Sequence, residues 1–439
     1  MAHVVGVSPR LIRPIRRSAL GSPVGISASA ALRGLAILIL FISGLVDLPR
    51  AIQLGPVTSQ AIFTVVYFVA AIPLFLISPV RGRGIALPLL PLILFWLWSV
   101  TSLAWSSAPL KGIQNVLVVG VTLILVLASS AVASVDLSFA AWMQKNLWRS
   151  AMLVAVVYFA AVLWFGPGSN EIFGARSFSL YALFGVVYQL SRWHYGARSG
   201  LAWAIGITVL IGFSQSRLAL GIAIALFPLA QLPTQRGMRI LKVMCVSIAV
   251  LAASYGALLY FDSLRERFVS GDVSVKLGPL VINGSGRNAF WQTTMQSFWN
   301  APILGQGAGS AEGLIDSYWV NIQHPHSDYL RIAHDYGFVG LAAWLWGVLT
   351  LLVILRRNWR AAEKFGPKFA TIQLTAFLAV VSYALQMSME NAFVYVYVSA
   401  PLGLLVGSAL GIHRVTSARW NQQVSVGKPD SFSSMPAHA

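Results

Sequence analysis

The sequence predicts an all-α integral membrane protein of about twelve transmembrane helices, with one large, partly helical loop on its outer face. Three observations lead there. Of the 439 residues, 57% are hydrophobic and only 10% charged, whereas a soluble domain carries roughly 25% charged residues. Apolar runs of a length that can cross the hydrocarbon as a helix recur along nearly the whole chain. The few charges are lopsided, 31 Lys and Arg against 13 Asp and Glu for a net +18, and they sort by side once the runs are counted. Such hydrophobicity rules out a disordered nucleic-acid-binding tail, so no nucleic acid is expected as partner. The single cysteine, Cys245, lies in an apolar run and excludes a disulfide framework or a Cys-rich metal site.

In chain order the candidate spans are 34–49, 61–80, 85–103 (with Pro88 and Pro91), 113–133, 148–166, 177–191, 199–214, 217–232, 240–261, 338–355, 369–388 and 392–412. Each is apolar over about 17–25 residues or slightly fewer. A tight turn at Ser214–Arg217 divides the seventh from the eighth. With both ends inside, 22 of the 31 basic residues fall on the cytoplasmic side and nine outside, and merging spans seven and eight would break that bias. The basic N-terminal stretch runs into a Ser/Gly/Pro-rich linker instead of an apolar core, unlike a cleavable signal peptide. The organisation is therefore a basic cytoplasmic segment 1–33, spans one to nine over 34–261, an outer loop 262–337, spans ten to twelve over 338–412, and a cytoplasmic tail 413–439.

The span interiors hold essentially no ionisable residues. A proton- or ion-coupled transporter needs them within the membrane, so chemistry is expected at the outer water–lipid boundary. A loop as long as 262–337 is usually functional or disordered. This one is rich in Trp, Phe and Gly, which favours a folded cap. Its stretch Arg287–Trp299 sets Phe290, Trp291, Phe298 and Trp299 largely on one side, with Gln292, Thr294 and Gln296 for the other, which suits a helix at the bilayer interface. These aromatics serve equally as an ordinary interfacial belt.

Three outer segments stand out. Ser214-Gln215-Ser216-Arg217 holds an arginine in a turn between two apolar helices, where snorkelling alone would account for it. Ser285-Gly286-Arg287 opens the aromatic helix, and an arginine beside free backbone N–H groups suits an oxyanion or phosphate. The Gly-rich Pro302–Gly309 follows, and it is no nucleotide P-loop because no Gly-Lys-Ser/Thr succeeds it. The third is His324-Pro325-His326-Ser327-Asp328-Tyr329-Leu330-Arg331, running into His334-Asp335-Tyr336-Gly337. His-x-His with nearby carboxylates has the donor types for a divalent ion. Arginines on the same side would repel a cation, however, so a histidine with a near-neutral pKa is better suited to take a proton. No metal and no other cofactor is expected.

The order SQSR, SGRNAFW with PILGQGAG, then HPHSDYLRIAHDYGFVG resembles the O-antigen ligase/polymerase family of bacterial envelope glycosyltransferases over roughly residues 205–345. Ser327 stands where that family commonly has Asn, and Asp335 where it has Glu. The resemblance implies a GT-C-like helical architecture in the inner membrane with its active site facing the periplasm. It implies that Arg217 and Arg287 grip the diphosphate of an undecaprenyl-diphosphate-linked O-antigen and that His326 is the essential histidine. His324, Arg331 and Trp291 are further candidate substrate contacts, and His334 and Asp335 are expected to be structural. As acceptor, the lipid A-core oligosaccharide makes the protein a ligase; a second lipid-linked repeat would make it a polymerase. Family polymerases often carry two sizeable outer loops, and the 167–176 loop is short, which favours the ligase. Membrane lipids are the remaining partner. A lipid-linked-oligosaccharide flippase would need a polar path through the spans that the sequence lacks.

Overall fold

The computed structural model describes residues 23–45, 59–77, 83–172, 174–231, 274–277, 280–283, 287–319 and 324–426. Span nine (240–261), Ser285–Gly286 and most of the two terminal segments lie outside these described residues. The helices are α1 (Pro23–Leu45), α2 (Ser59–Ile77), α3 (Arg83–Thr101), α4 (Pro109–Val135), α5 (Leu137–Phe165), α6 (Ala175–His194), α7 (Arg198–Phe213) and α8 (Arg217–Leu229), then α9 (Arg287–Phe298), α10 (Ser310–Tyr318), α11 (Asp328–Ala362), α12 (Pro367–Gln386) and α13 (Val396–Val426). A small antiparallel hairpin, β1 (Ser274–Leu277) and β2 (Leu280–Asn283), precedes α9. Eleven of the twelve expected spans coincide with helices, and the seventh and eighth are separate, as the charge bias requires. Among the described residues, six helical stretches are long and apolar enough to cross a membrane, and four more apolar ones are shorter. The protein is an integral, multi-pass membrane protein.

Loops expected on one side of the membrane do meet at one end of the bundle. At the end expected to face outward Lys111 Nζ lies 2.8 Å from Asp316 Oδ2, and Trp105 Nε1–H donates to Gly305 O at 3.1 Å. At the other end Arg33 pairs with Asp136 at 2.7 Å, and Tyr195 Oη lies 3.2 Å from Glu363 Oε1. Residues far apart in sequence are thus matched in pairs without one crossing from end to end.

The most extensive helix pair is α4 with α13, and the sequence explains it. Gly403, Gly407 and Gly411 recur every fourth residue, on one face of α13. A Cβ at Gly407 would meet Val126 O at 2.2 Å, and one at Gly411 would meet Ser130 O at 2.2 Å. Small residues let two backbones approach in this way, which dispersion then rewards in lipid. Gly407→Leu is expected to force the pair apart, at roughly 1–3 kcal/mol or more, and a lowered melting temperature of the purified protein in detergent checks it.

Helix α11 is broken at Gly337 (φ 67°, ψ −170°). The break is filled by the Gly-rich loop: Phe338 and Val339 N–H donate to Pro302 O and Ile303 O, at 2.8 and 3.3 Å, while Gln306 and Gly307 N–H donate to His334 O and Asp335 O, both at 2.9 Å. Backbone groups that a continuous helix would have paired are thereby satisfied. Asp335, fully buried, accepts from Gly309 N–H at 3.0 Å and Ala311 N–H at 2.7 Å and so caps α10. PILGQGAG and HDYG are one structural unit, in line with the expected structural roles of His334 and Asp335.

Helix α9 departs from the expected pattern. Its buried face is Phe290, Thr294 and Phe298, while Trp299 is exposed. Positions four apart share a helical face, whereas neighbours point about 100° apart, so Phe290 and Trp291 cannot share it fully. The helix packs on α11, with Phe298 edge-on to Phe338 at 5.2 Å, and Thr294 satisfies its hydroxyl on Phe290 O at 2.7 Å.

Candidate active site

Four segments converge at the end of the bundle that holds Lys111 and Asp316: the head of α6, the head of α9, the His324–Ser327 turn before α11, and the linker 387–395 between α12 and α13. Asp328 fixes the last two together. Its N–H donates to Met387 O at 2.8 Å, and its carboxylate accepts Phe393 N–H at 2.7 Å. Phe393 is itself held from beneath by Phe95 and Trp344, ring centroids 5.9 and 5.2 Å away. The histidine turn is docked from above by Trp291, whose indole N–H donates to Pro325 O at 2.9 Å. Arg287 and Trp291 lie one turn apart on α9, so the helix that supplies the arginine also seats the histidine. Trp291, expected as a substrate contact, has its polar atom engaged in that seating.

His326 adopts φ 56°, one of two non-glycine residues with positive φ among those described. Such a conformation costs about 1–3 kcal/mol and persists where the surroundings over-determine it. Its Nδ1 lies 3.1 Å from the Asn391 amide nitrogen, and its ring stands 6.4 Å from that of Phe290. The amide next to the histidine thus comes from the far linker, not from the following residue, Ser327. Burial holds the imidazole pKa down to about 3, reinforced by the guanidiniums of Arg176, Arg287 and Arg331, so the ring is neutral at physiological pH.

Glu390 lies between two of these cations. Its Oε1 is 3.4 Å from Arg287 Nη2, and its Oε2 is 3.3 Å from Arg176 Nε. Burial pushes the Glu390 pKa up against the pull of Arg176 and Arg287. Burial likewise pulls Arg287 down, which Glu390 opposes and Arg176 assists. Two guanidiniums, Arg176 and Arg287, thus share the one carboxylate of Glu390, an excess of positive charge that suits an anion.

His324 faces other partners. Its Nδ1 contacts the guanidinium of Arg331 and lies 3.6 Å from Glu312 Oε2. Arg331 is buried, and its Nε and Nη1 have no hydrogen-bond partner among the described residues. The two imidazoles of His-x-His are therefore engaged with different groups, and among the described residues no three His, Cys, Asp or Glu side chains cluster as a metal site would need. Arg217, half-buried, begins α8 at the same end. Its turn packs on the α5–α6 loop, where Gly168 N–H donates to Phe213 O at 2.9 Å, and that loop leads directly to Arg176.

Arg287 and His326 lie in the same region, within each other's electrostatic influence, whereas Arg217 lies on α8 at the same end of the bundle. Arg176, Glu390 and Asn391 were missed, since they lie outside the recognised motifs at the ends of otherwise unremarked spans. One signal was available: Glu390 is the sole acidic residue between Glu363 and Asp430, and a carboxylate at a membrane boundary calls for a cation.

Residues 200–345 match the family model described as O-antigen ligase. This is the family that the order of motifs resembles, and the matched stretch contains Arg217, Arg287, Trp291, His324, His326 and Arg331, while Arg176, Glu390 and Asn391 lie outside it. No curated protein matches the chain.

Proposed function

We propose that this protein is an O-antigen ligase. It moves the glycan from undecaprenyl diphosphate to a sugar hydroxyl of the lipid A-core oligosaccharide, on the periplasmic face of the bacterial inner membrane. The single observation that carries the reading is the convergence of His326, on Asn391, with Arg176 and Arg287, on the neighbouring Glu390, at one end of an apolar bundle. In this reading the bundle has twelve spans with both ends in the cytoplasm and is GT-C-like.

The chemistry follows from those groups. Arg217, Arg287 and Arg176 hold the diphosphate, whose negative charge grows as the glycosidic bond breaks, so that guanidiniums lower the barrier where other transferases use a metal ion. The acceptor oxygen attacks the anomeric carbon opposite the diphosphate and inverts its configuration. The acceptor proton passes to His326 Nε2, and polyprenyl diphosphate leaves. His324 and Arg331, next to Glu312, line the acceptor side. Trp291 acts by seating the histidine turn.

An imidazole with a pKa near 3 is a feeble base. Anionic diphosphate offsets the arginine field, so donor binding raises the His326 pKa and the acceptor is activated only beside a loaded donor. The sign is fixed: protonation removes the base, and it sets in at higher pH in the complex. The acid limb of kcat is therefore expected above that of kcat/KM, with the latter well below pH 6. Coincident limbs near 6.5 would contradict this, and steady-state rates from pH 4 to 8 check it.

A deletion strain tests the reaction class. Long glycan stranded on the polyprenyl carrier is the ligase result. Core bearing a single repeat would mean a polymerase, and repeats retained on the cytoplasmic side a flippase.

A further inference from the structure

A histidine acts as a base through one nitrogen only if the other keeps its proton, and a hydrogen-bond acceptor at that other nitrogen decides which tautomer prevails. At His326 the group beside Nδ1 is the carboxamide of Asn391, 3.1 Å away and fully buried. Its nitrogen end also lies 3.4 Å from Tyr395 Oη, while Oδ1 is buried with no hydrogen-bond partner among the described residues. A half-turn about χ2 exchanges the two ends within the same outline and lets Oδ1 accept from both Nδ1–H and the tyrosine hydroxyl. Asn391 precedes the short 3-10 turn Ala392–Val394 without a side-chain cap bond to it, and it sits in a linker that Asp328 and Phe393 pin against the histidine turn, where His326 has positive φ.

We propose that Asn391 is the positioning residue for His326: its side-chain carbonyl accepts the Nδ1–H bond and fixes the tautomer whose Nε2 lone pair faces the acceptor hydroxyl. The inference rests on the reading of His326 as the base. Arginine cannot fill this role because it has no acceptor. The charged and titratable groups around the pair are Arg176 from α6, Arg287 from α9, Arg331 and Asp328 from α11, and Glu390 and Tyr395 from the linker. They act on both tautomers, whereas Asn391 discriminates between them.

Purified full-length protein, assayed with polyprenyl-diphosphate glycan and lipid A-core acceptor across pH, tests this. Asn391→Leu keeps the shape and removes both polar ends; its kcat is expected to fall about 10- to 100-fold with KM nearly unchanged, as for other groups that orient a functional imidazole. Asn391→Asp restores an acceptor with a negative charge; it is expected to keep most of the wild-type kcat and to move the acid limb of kcat upward by a pH unit or more. A merely structural role would not move that limb. Asn391→Leu with wild-type kcat, or Asn391→Asp with an unmoved limb, overturns the proposal; if the leucine variant does not fold, the aspartate variant decides. His326→Ala separates the two failures. An active His326→Ala sinks the base itself, whereas an inactive one beside a fully active Asn391→Leu sinks only the positioning role.

Discussion

Replacing His326 with alanine is expected to reduce glycan transfer by about 10²- to 10⁴-fold, the range that a general base contributes, while the protein still folds. The side chain lines a half-buried turn whose position is set by other groups: Trp291 holds the backbone at Pro325, and Asp328 holds the linker below. Alanine at φ 56° keeps the strain of the native residue without its hydrogen bond to Asn391, so a modest loss of stability accompanies the kinetic loss. Arg287→Ala should act through the leaving group and weaken donor binding as well as turnover. Arg287→Lys is expected to rescue only part, because a point charge does not reproduce the planar fork that grips a diphosphate. The lipopolysaccharide ladder of a deletion strain complemented with each variant reads both. Full ladders from His326→Ala and Arg287→Ala would remove the catalytic assignment.

The second large effect is structural. Gly337→Ala is expected to cost at least about 3 kcal/mol, enough to deplete folded protein in detergent. Backbone at φ 67°, ψ −170° lies in a region that is essentially glycine-only, and a Cβ there would meet Ile303 O at 2.2 Å. The loop cannot yield easily, because its own Gly305 sits equally close to Asp335 O, at 2.4 Å from a built Cβ. Forcing the pair apart releases the four hydrogen bonds between loop and helix and unseats α10, whose cap is Asp335. Gly206→Ala, in the middle of α7 with no atom within 4 Å of its added Cβ, is the control and is expected to leave the melting temperature unchanged. A Gly337→Ala protein as stable as the control would mean that the loop and α11 are not one unit.

Sequence reasoning read the helices well because apolar runs and charge bias act locally and are each repeated many times. Arg287 and His326 were equally legible as candidates, because their neighbours in sequence are part of their motifs. What it could not read is carried by long-range pairing. Glu390 and Asn391 are separated by more than 60 residues from His326 on one side and Arg176 by 150 on the other, yet they meet because α6, α12 and α13 pack side by side. The buried face of α9 was misplaced because aromatic residues were grouped by type, whereas the helical period puts Thr294 between Phe290 and Phe298. The glycine stripe on α13 was legible in principle as a four-residue repeat, but only the closeness of α4 gives it meaning. Ser327 shows the same limit in a single residue, since the amide beside the histidine is supplied from another part of the chain.

The central claim is tested most directly by transfer in vitro. Purified protein in proteoliposomes would be given labelled glycan on undecaprenyl diphosphate, with lipid A-core oligosaccharide and excess chelator. The account predicts that the label moves to the core with release of one polyprenyl diphosphate per glycan, and that His326→Ala does not perform it. Label that stays on the carrier and lengthens, or transfer that requires an added divalent ion, would contradict it.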